Sequence, residues 1–387
     1  MTVTAPAGFV AAGVASGIKA SGDLDLALVA TDDGRPVTAA AVFTQNLVCA
    51  APVQVSRAHL SATGARAAAV VLNSGNANAA TGEPGRAVAE EACARAAAGI
   101  GCGAEEVLVC STGLIGIPLA ADHFRSGLPA AVEALAAGGG ADAARAIMTT
   151  DTRPKEATAT AGGITVGGMA KGAAMLAPNM ATMLAVLTTN ASAEPEILQR
   201  SLQAAVDDSF NRLTVDGCTS TNDTVIVLAG GRAGAVDETR LTDLLREVTF
   251  SLASQMCEDA EGATKSVQVT VTGAGTDEEA AAAARKVAES QLVKCSWYGQ
   301  DPYWGRVLSD LGTAGVALDL ERLTIAYGGV VVSRGGVGVD HDHAAVKAHM
   351  AGRALGLHCD LGTGDGTWWV LTNDLTHAYV DENMGTS

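Results

Sequence analysis

The sequence predicts a layered α+β fold, and three observations carry that expectation. Short apolar runs of strand length mix with longer Ala-rich stretches of helical character, without the strict rhythm of a doubly wound sheet. Glycine occurs 45 times in 387 residues, too often for a helical bundle and in keeping with many turns and close backbone approaches. Hydrophobic residues make up 48% of the chain but aromatics only 3%, so a large core must be built from Ala, Val and Leu. This length suggests two sizeable lobes or one large layered unit.

In chain order, strands are expected at Leu26 to Ala30, Ala39 to Phe43 and Ala67 to Leu72. Gly85 to Ala98 reads as an Ala-rich helix, and Val107 to Cys110 as a short strand running into Ser-Thr-Gly. Residues 126 to 137 look helical and stop at Gly138-Gly139-Gly140; a second helix covers Ala141 to Met148. Then come a strand at Met183 to Leu187, a helix at Pro195 to Val206, a strand at Val225 to Ala229 and a helix at Thr239 to Ala253. A strand at Val267 to Thr272, a helix from Glu278 to Leu292, and strands at Thr324 to Val332 and Trp368 to Leu371 complete the pattern. No short-period repeat is visible.

A formal net charge of −17 and a pI near 4.7 repel nucleic-acid phosphates and anionic membranes. A small cationic substrate remains compatible. The eight cysteines include no CxxC pair, and the N-terminus has no basic residue before Lys19. It is neither a signal nor a transit peptide, so reduced cysteines in a cytoplasmic protein are expected. Residues 172 to 193 carry no charge, yet Pro178, Asn179, Thr182, Thr188, Thr189 and Asn190 would be costly in lipid. The stretch reads as a loop feeding a buried strand.

Asp340-His-Asp-His343 invites a metal reading. On an extended segment its His pair and Asp pair point to opposite faces, so an exposed polar loop is expected and no metal site. Gly162 to Ala173 is Gly-rich, but no Gly-Lys-Ser/Thr follows, so it is not a phosphate-binding loop.

Lys171-Gly-Ala-Ala-Met-Leu-Ala-Pro-Asn-Met-Ala-Thr182-Met-Leu places a threonine at the start of an apolar strand, behind a Pro-Asn turn. On residue chemistry alone, a hydroxyl there reads as a turn or strand-edge hydrogen bonder. Ordered motifs surround it: Val42-Phe-Thr, Asn73-Ser-Gly-Asn-Ala-Asn, Cys110-Ser-Thr-Gly-Leu-Ile-Gly, Thr149-Thr-Asp-Thr and Gly167-Gly-Met-Ala-Lys-Gly. Ser209-Phe-Asn-Arg-Leu-Thr-Val-Asp-Gly, Ser220-Thr-Asn-Asp-Thr, Glu261-Gly-Ala-Thr-Lys, Trp304-Gly-Arg and Thr372-Asn-Asp-Leu-Thr follow. Together they resemble the self-processing ornithine acetyltransferase (glutamate N-acetyltransferase) family almost end to end.

The resemblance implies an α/β/β/α-type sandwich of the self-processing aminopeptidase and ornithine acetyltransferase kind. It also implies self-cleavage between Ala181 and Thr182, giving an α chain of residues 1–181 and a β chain of residues 182–387. The Thr182 hydroxyl would attack the Ala181 carbonyl, and water would hydrolyse the resulting ester. The freed α-amine, with a pKa of about 8, can act as base for its own hydroxyl. Thr112 and Gly113 are implied as the oxyanion hole, each donor worth roughly 3 kcal/mol. Thr149, Lys171, Thr182, Glu261, Asn383 and Ser387 are implied as substrate contacts, with Lys171 on an α-carboxylate and Glu261 on the ornithine δ-ammonium.

The implied reaction is ping-pong: acetyl passes from N2-acetyl-L-ornithine to Thr182 and then to L-glutamate. Some members also accept acetyl-CoA, and both readings stay open here. No metal or organic cofactor is implied, and α and β chains are expected to assemble as heterotetramers or larger forms. The tail departs from the family pattern: Met384-Gly-Thr-Ser follows Asn383, so the terminal hydroxyl contact falls on Thr386 or Ser387. Ala174 and Tyr303 stand where glycine and asparagine are usual. An amidase or aminopeptidase of the same fold and a non-catalytic paralogue are the alternatives.

Overall fold

The computed structural model describes residues 2–177 and 183–385. The predicted cleavage pair Ala181 and Thr182, and the terminal Ser387, lie outside the described residues. The chain forms two compact units, Met1–Asn211 with Cys218–Met256, and Arg212–Gly217 with Cys257–Ser387.

The first unit contains β1 (Phe9–Val14), β2 (Leu26–Thr31), β3 (Val37–Phe43), β4 (Arg66–Ala67), β5 (Ala69–Asn73), β6 (Val107–Ser111), β7 (Lys155–Ala161), β8 (Ile164–Lys171), β9 (Leu184–Thr189) and β10 (Thr224–Ala229). Its helices are α1 (Ala51–Ala62), α2 (Gly82–Ile100), α3 (Asp122–Glu133), α4 (Gly140–Ala146), α5 (Pro195–Asp207) and α6 (Glu238–Glu258). One sheet has the order β1-β2-β5-β6 and the other β4-β3-β10-β9-β8-β7. Val29, Leu72 and Leu108 of the first sheet pack against Met169, Val186, Ile226 and Leu228 of the second.

The opposite face of the first sheet, through Leu28, Val71 and Val109, packs on Val55 of α1, Cys93 of α2 and Phe124 of α3. On the far side of the second sheet, Gly168 of β8 lies under Val248 and Leu252 of α6. The α5 side chain Gln199 exchanges hydrogen bonds with the Ala41 backbone of β3. The layering is therefore α/β/β/α, as the family resemblance implies. It explains why β2 reads as an unbroken apolar run: its alternate side chains enter two different cores, and all six residues are buried.

The second unit has β11 (Ser266–Ala274), β12 (Thr324–Tyr327), β13 (Val330–Arg334), β14 (Val337–Gly338), β15 (Ala354–Asp360) and β16 (Gly366–Asn373), in the order β14-β13-β12-β15-β11-β16. Helices α7 (Asp277–Ala288), α8 (Gln291–Tyr298), α9 (Trp304–Leu311), α10 (His343–Ala351) and α11 (His377–Glu382) accompany it. Its core gathers Val269, Val287, Trp297, Ile325, Tyr327 and Leu357.

Several boundaries differ from expectation for identifiable reasons. The strand predicted from Thr324 to Val332 is a hairpin, because Gly328 and Gly329 take φ of +58° and +82° and form a two-residue turn. The helix predicted from Glu278 to Leu292 is two helices; Ser290 accepts from Val293 N and caps the second. The helix predicted over 126–137 ends at Glu133, and Ala136 instead exchanges backbone bonds with Ala11 of β1. The run from Ala67 to Leu72 divides between sheets as β4 and β5.

Asp342 accepts from Ala345 N at 2.9 Å and caps α10, which gives the Asp340–His343 segment a structural task. Among the described residues, no group of three or more His, Cys, Asp or Glu is placed to hold a metal ion. Among them, too, no helix is long and apolar enough to cross a membrane. The uncharged stretch contains β9, all six residues of which are buried. Cys93, Cys110, Cys257 and Cys359 are buried, while Cys218 and Cys295 are exposed.

The predicted cut falls inside the first unit and between neighbouring strands. β8 precedes it, β9 follows it, and they pair antiparallel from Val166↔Thr189 to Lys171↔Leu184. β10 pairs with β9 on one side and with β3 on the other. A chain cut between 181 and 182 is thus expected to stay whole by gel filtration and to separate into two pieces only in denaturant. Separation without denaturant would contradict this ladder.

Candidate active site

Thr112 and Gly113 follow directly on β6, and three motifs hold them there. Thr112 N donates to Asn73 O at 2.9 Å, and Ser111 Oγ donates to Asn73 Oδ1 at 2.6 Å. Asn222 Nδ2 donates to Ser111 O at 2.9 Å and to Ala77 O at 2.6 Å. Asn73, Ala77, Ser111, Thr112 and Asn222 are all buried, so a polar group left unpaired here would cost about 1–3 kcal/mol. Gly113 has φ +131°, and a Cβ there would come within 2.3 Å of Gly75 C and 2.4 Å of Asn76 N. Only glycine fits, because the Gly75–Asn76 backbone lies directly against it.

Lys171 ends β8 and is 3% exposed. Its Nζ donates to Thr112 Oγ1 at 3.3 Å. The structure thus brings together two residues that the sequence places 59 positions apart. The next residue, Gly172, donates its N–H to Asp151 Oδ1 at 2.7 Å. Asp151 Oδ1 also receives Lys155 Nζ at 2.6 Å, and Asp151 Oδ2 receives Thr149 N at 3.0 Å. Thr149 is half-buried and lines a cavity of ≈ 640 Å³ with Lys19, Asp23, Arg145 and Asp151, while Thr150 is exposed.

Burial alone would raise the Asp151 carboxyl. The charges of Lys171 and Lys155, the Lys155 hydrogen bond and the Thr149 N–H outweigh it and bring the pKa down to about 2. Asp223, at the mouth of β10, behaves oppositely. It is fully buried; Oδ1 accepts from Met183 N at 2.9 Å, and Oδ2 has no hydrogen-bond partner among the described residues. Burial pushes its carboxyl well above the usual range, and the Met183 N–H and the Lys171 charge offset only part of this.

Glu261 and Asn383 meet in the second unit. Asn383 Nδ2 donates to Glu261 Oε2 at 2.7 Å; Glu261 is 7% exposed and Asn383 lies at the exposed end of α11. The Glu261 turn is pinned by Asp374, which accepts from Thr264 N and Lys265 N at 2.9 Å each and from the Thr264 hydroxyl. Thr376 Oγ1 adds a bond to Gly262 O at 2.7 Å. Lys265, the charged end of the same motif, is structural: its Nζ reaches Met350 O at 3.0 Å and Gly352 O at 2.7 Å and closes the end of α10. Sequence reasoning did not single out Asp151, Lys155 or Asp223 individually. The Thr-Thr-Asp-Thr and Ser-Thr-Asn-Asp-Thr motifs contained two of them, but nothing in spacing says which carboxyl becomes buried.

The ArgJ family profile matches residues 10–385 of the chain. The chain belongs to the ArgJ family. A relative named arginine biosynthesis bifunctional protein ArgJ, from Mycolicibacterium paratuberculosis, is 49% identical over 395 residues, covering 100% of this chain and 96% of its own. The protein of that name from Streptomyces coelicolor is 47% identical over 389 residues and all of both chains. A solved structure of ornithine acetyltransferase from Mycobacterium tuberculosis, complexed with ornithine, is 47% identical over 46% of this chain and 94% of its own, with a TM-score of 0.42. ArgJ membership makes the chain an acetyltransferase of arginine biosynthesis.

Two predictions come from the buried carboxyls. Asp151 has a depressed folded-state pKa, so its contribution, on the order of 2 kcal/mol, is present above the unfolded value of about 4 and is lost as pH falls towards 2. Thermal unfolding between pH 5 and pH 2 should therefore depend less on pH in Asp151→Asn than in the parent. Asp223 has a raised folded-state pKa, so its contribution is present below the unfolded value and is lost as pH rises towards the folded one. Asp223→Asn keeps an acceptor for Met183 N–H without a titrating group. At pH 8 its melting temperature should equal or exceed the parent's, and a marked drop there would show that Asp223 is ionised in the fold.

Proposed function

We infer that this ArgJ-family chain is a glutamate N-acetyltransferase that moves acetyl from N2-acetyl-L-ornithine to L-glutamate through an ester on Thr182, after cutting itself between Ala181 and Thr182. The observation that carries this reading is the full-length identity of nearly half to relatives named arginine biosynthesis bifunctional protein ArgJ.

The chemistry follows from the residues assigned. The Thr182 α-amine takes the proton from the Thr182 hydroxyl as the oxygen attacks the acetyl carbonyl. Thr112 O–H and Gly113 N–H face the oxyanion. The acetyl–nitrogen bond breaks, the ornithine amine takes the proton, and acetyl stays on Thr182 as an ester. The amine of glutamate then attacks that ester and restores the threonine hydroxyl. Lys171 takes the substrate α-carboxylate and Glu261 the ornithine δ-ammonium, with Thr149 and Ser387 as further contacts. The buried Glu261 carboxyl, with Oε2 held by Asn383, supports a cation-binding part.

Acetyl-CoA can feed the same ester in this scheme. No metal or organic cofactor is needed, because the nucleophile carries its own base. The α and β chains assemble as a heterotetramer or larger form in the cytoplasm.

Intact-mass analysis of purified protein tests the reading. Two chains are expected, residues 1–181 and 182–387, and the second gains one acetyl group when acetylornithine is supplied without an acceptor. Thr182→Ala should show neither change. A single stable chain in the parent overturns self-cleavage, and free acetate in place of acetylglutamate overturns transfer in favour of hydrolysis.

A further inference from the structure

Lys171 approaches Thr112 in a way that holding a substrate carboxylate does not require. An ammonium has three donors and no acceptor, so the Thr112 oxygen must accept in the 3.3 Å contact. A threonine hydroxyl has one proton. With a lone pair engaged by Lys171, that proton points away from the ammonium. Among the described residues, no acceptor for it is recorded.

Both partners are held rigidly. Thr112 N is bonded to Asn73 O, and its flanks are fixed by the Asn73 and Asn222 side chains. Lys171 is paired with Leu184 in the β8–β9 ladder, and Asp151 grips the following N–H. A buried cation against a hydroxyl oxygen also draws electron density from the O–H and makes it a stronger donor, and low local polarity magnifies the effect. Such a preset donor needs no reorganisation when charge develops.

We propose that Lys171 is a positioning residue of the oxyanion hole, its ammonium orienting and polarising the Thr112 hydroxyl so that Thr112 O–H donates to the oxyanion. This rests on the reading that Thr112 and Gly113 face that oxyanion, and adds a part for Lys171 in the chemistry itself. No bond to Lys171 forms or breaks. It stays an ammonium, the Thr112 proton stays on Thr112, and the proton that travels is the one passed from the Thr182 hydroxyl to the leaving group. Asp151, in the 149–152 segment, and Asp223, immediately before β10, are carboxyls whose charge environment includes Lys171.

The two roles for Lys171 separate with an acetyl donor that has no carboxylate. p-Nitrophenyl acetate is such a donor, and its single-turnover burst reports acetylation of the processed enzyme. Lys171→Met, Thr112→Val and the double variant are compared with the parent using this ester and acetylornithine. The proposal expects Thr112→Val to slow the burst about 10²–10³-fold and Lys171→Met about 10–10²-fold. The double variant should be no slower than Thr112→Val alone, since Lys171 acts through Thr112. Lys171→Arg should recover part of the burst rate.

A parent-like burst in Lys171→Met, with KM for acetylornithine raised, would overturn the proposal and leave a carboxylate-holding lysine. So would multiplicative losses in the double variant. If Lys171→Met does not fold, the same cycle run with Lys171→Arg and Thr112→Val decides by the same criterion. A parent enzyme that is processed but forms no acetyl ester from either donor fails the proposed function, which is a different outcome from failure of the Lys171 role.

Discussion

The ionised carboxylate of Asp151 is the interaction on which the first unit's polar interior depends. A carboxylate out of water is tolerable only when donors surround it. Asp151 has the Gly172 N–H, the Thr149 N–H and the Lys155 ammonium, drawn from the end of β8, the segment before β7 and β7 itself. One small side chain therefore sets where Lys171 leaves its strand and where Thr149 faces its cavity. Removing either lysine would leave the negative charge under-compensated, and removing the carboxylate would leave Lys155 buried without it.

The site is assembled from strand ends rather than from one contiguous loop. Thr112 follows β6, Lys171 closes β8, and Asp223 immediately precedes β10. The asparagines of the 73–78 and 220–224 segments bond the end of β6 to the start of β10. Asparagine suits this work because its amide both donates and accepts without carrying charge. Glu261 and Asn383 form a comparable arrangement in the second unit, with Asp374 doing for the Glu261 turn what Asp151 does for Gly172.

Much of this was legible in the sequence, and the limits have physical causes. β2, β5, β9 and β10 were readable because strands buried on both faces are continuous apolar runs. The β7–β8 hairpin was not, since its strand partners carry Thr, Gly and Lys; its Gly162–Gly163 turn was read only as glycine-rich. Thr112, Gly113, Lys171 and Glu261 came from motifs shared with a family. Residue spacing alone could not have joined Lys171 to Thr112, because that contact arises from stacking one sheet on another. The opposite directions in which the Asp151 and Asp223 carboxyls are shifted were beyond reach for the same reason: they depend on how many donors each meets once buried.

The pairing of β3 with β10 also dictates timing. Val37–Phe43 emerges early from the ribosome, yet its central ladder partner, Thr224–Ala229, is made almost two hundred residues later. Until then the second sheet lacks the strand that joins β3 to β9, and the inner face of the first sheet is only partly covered. Self-cleavage that relied on this packed interior would therefore be a late, post-assembly event. The nascent chain before that point would expose an unpaired apolar edge, the stage at which a chaperone would have the most to shield.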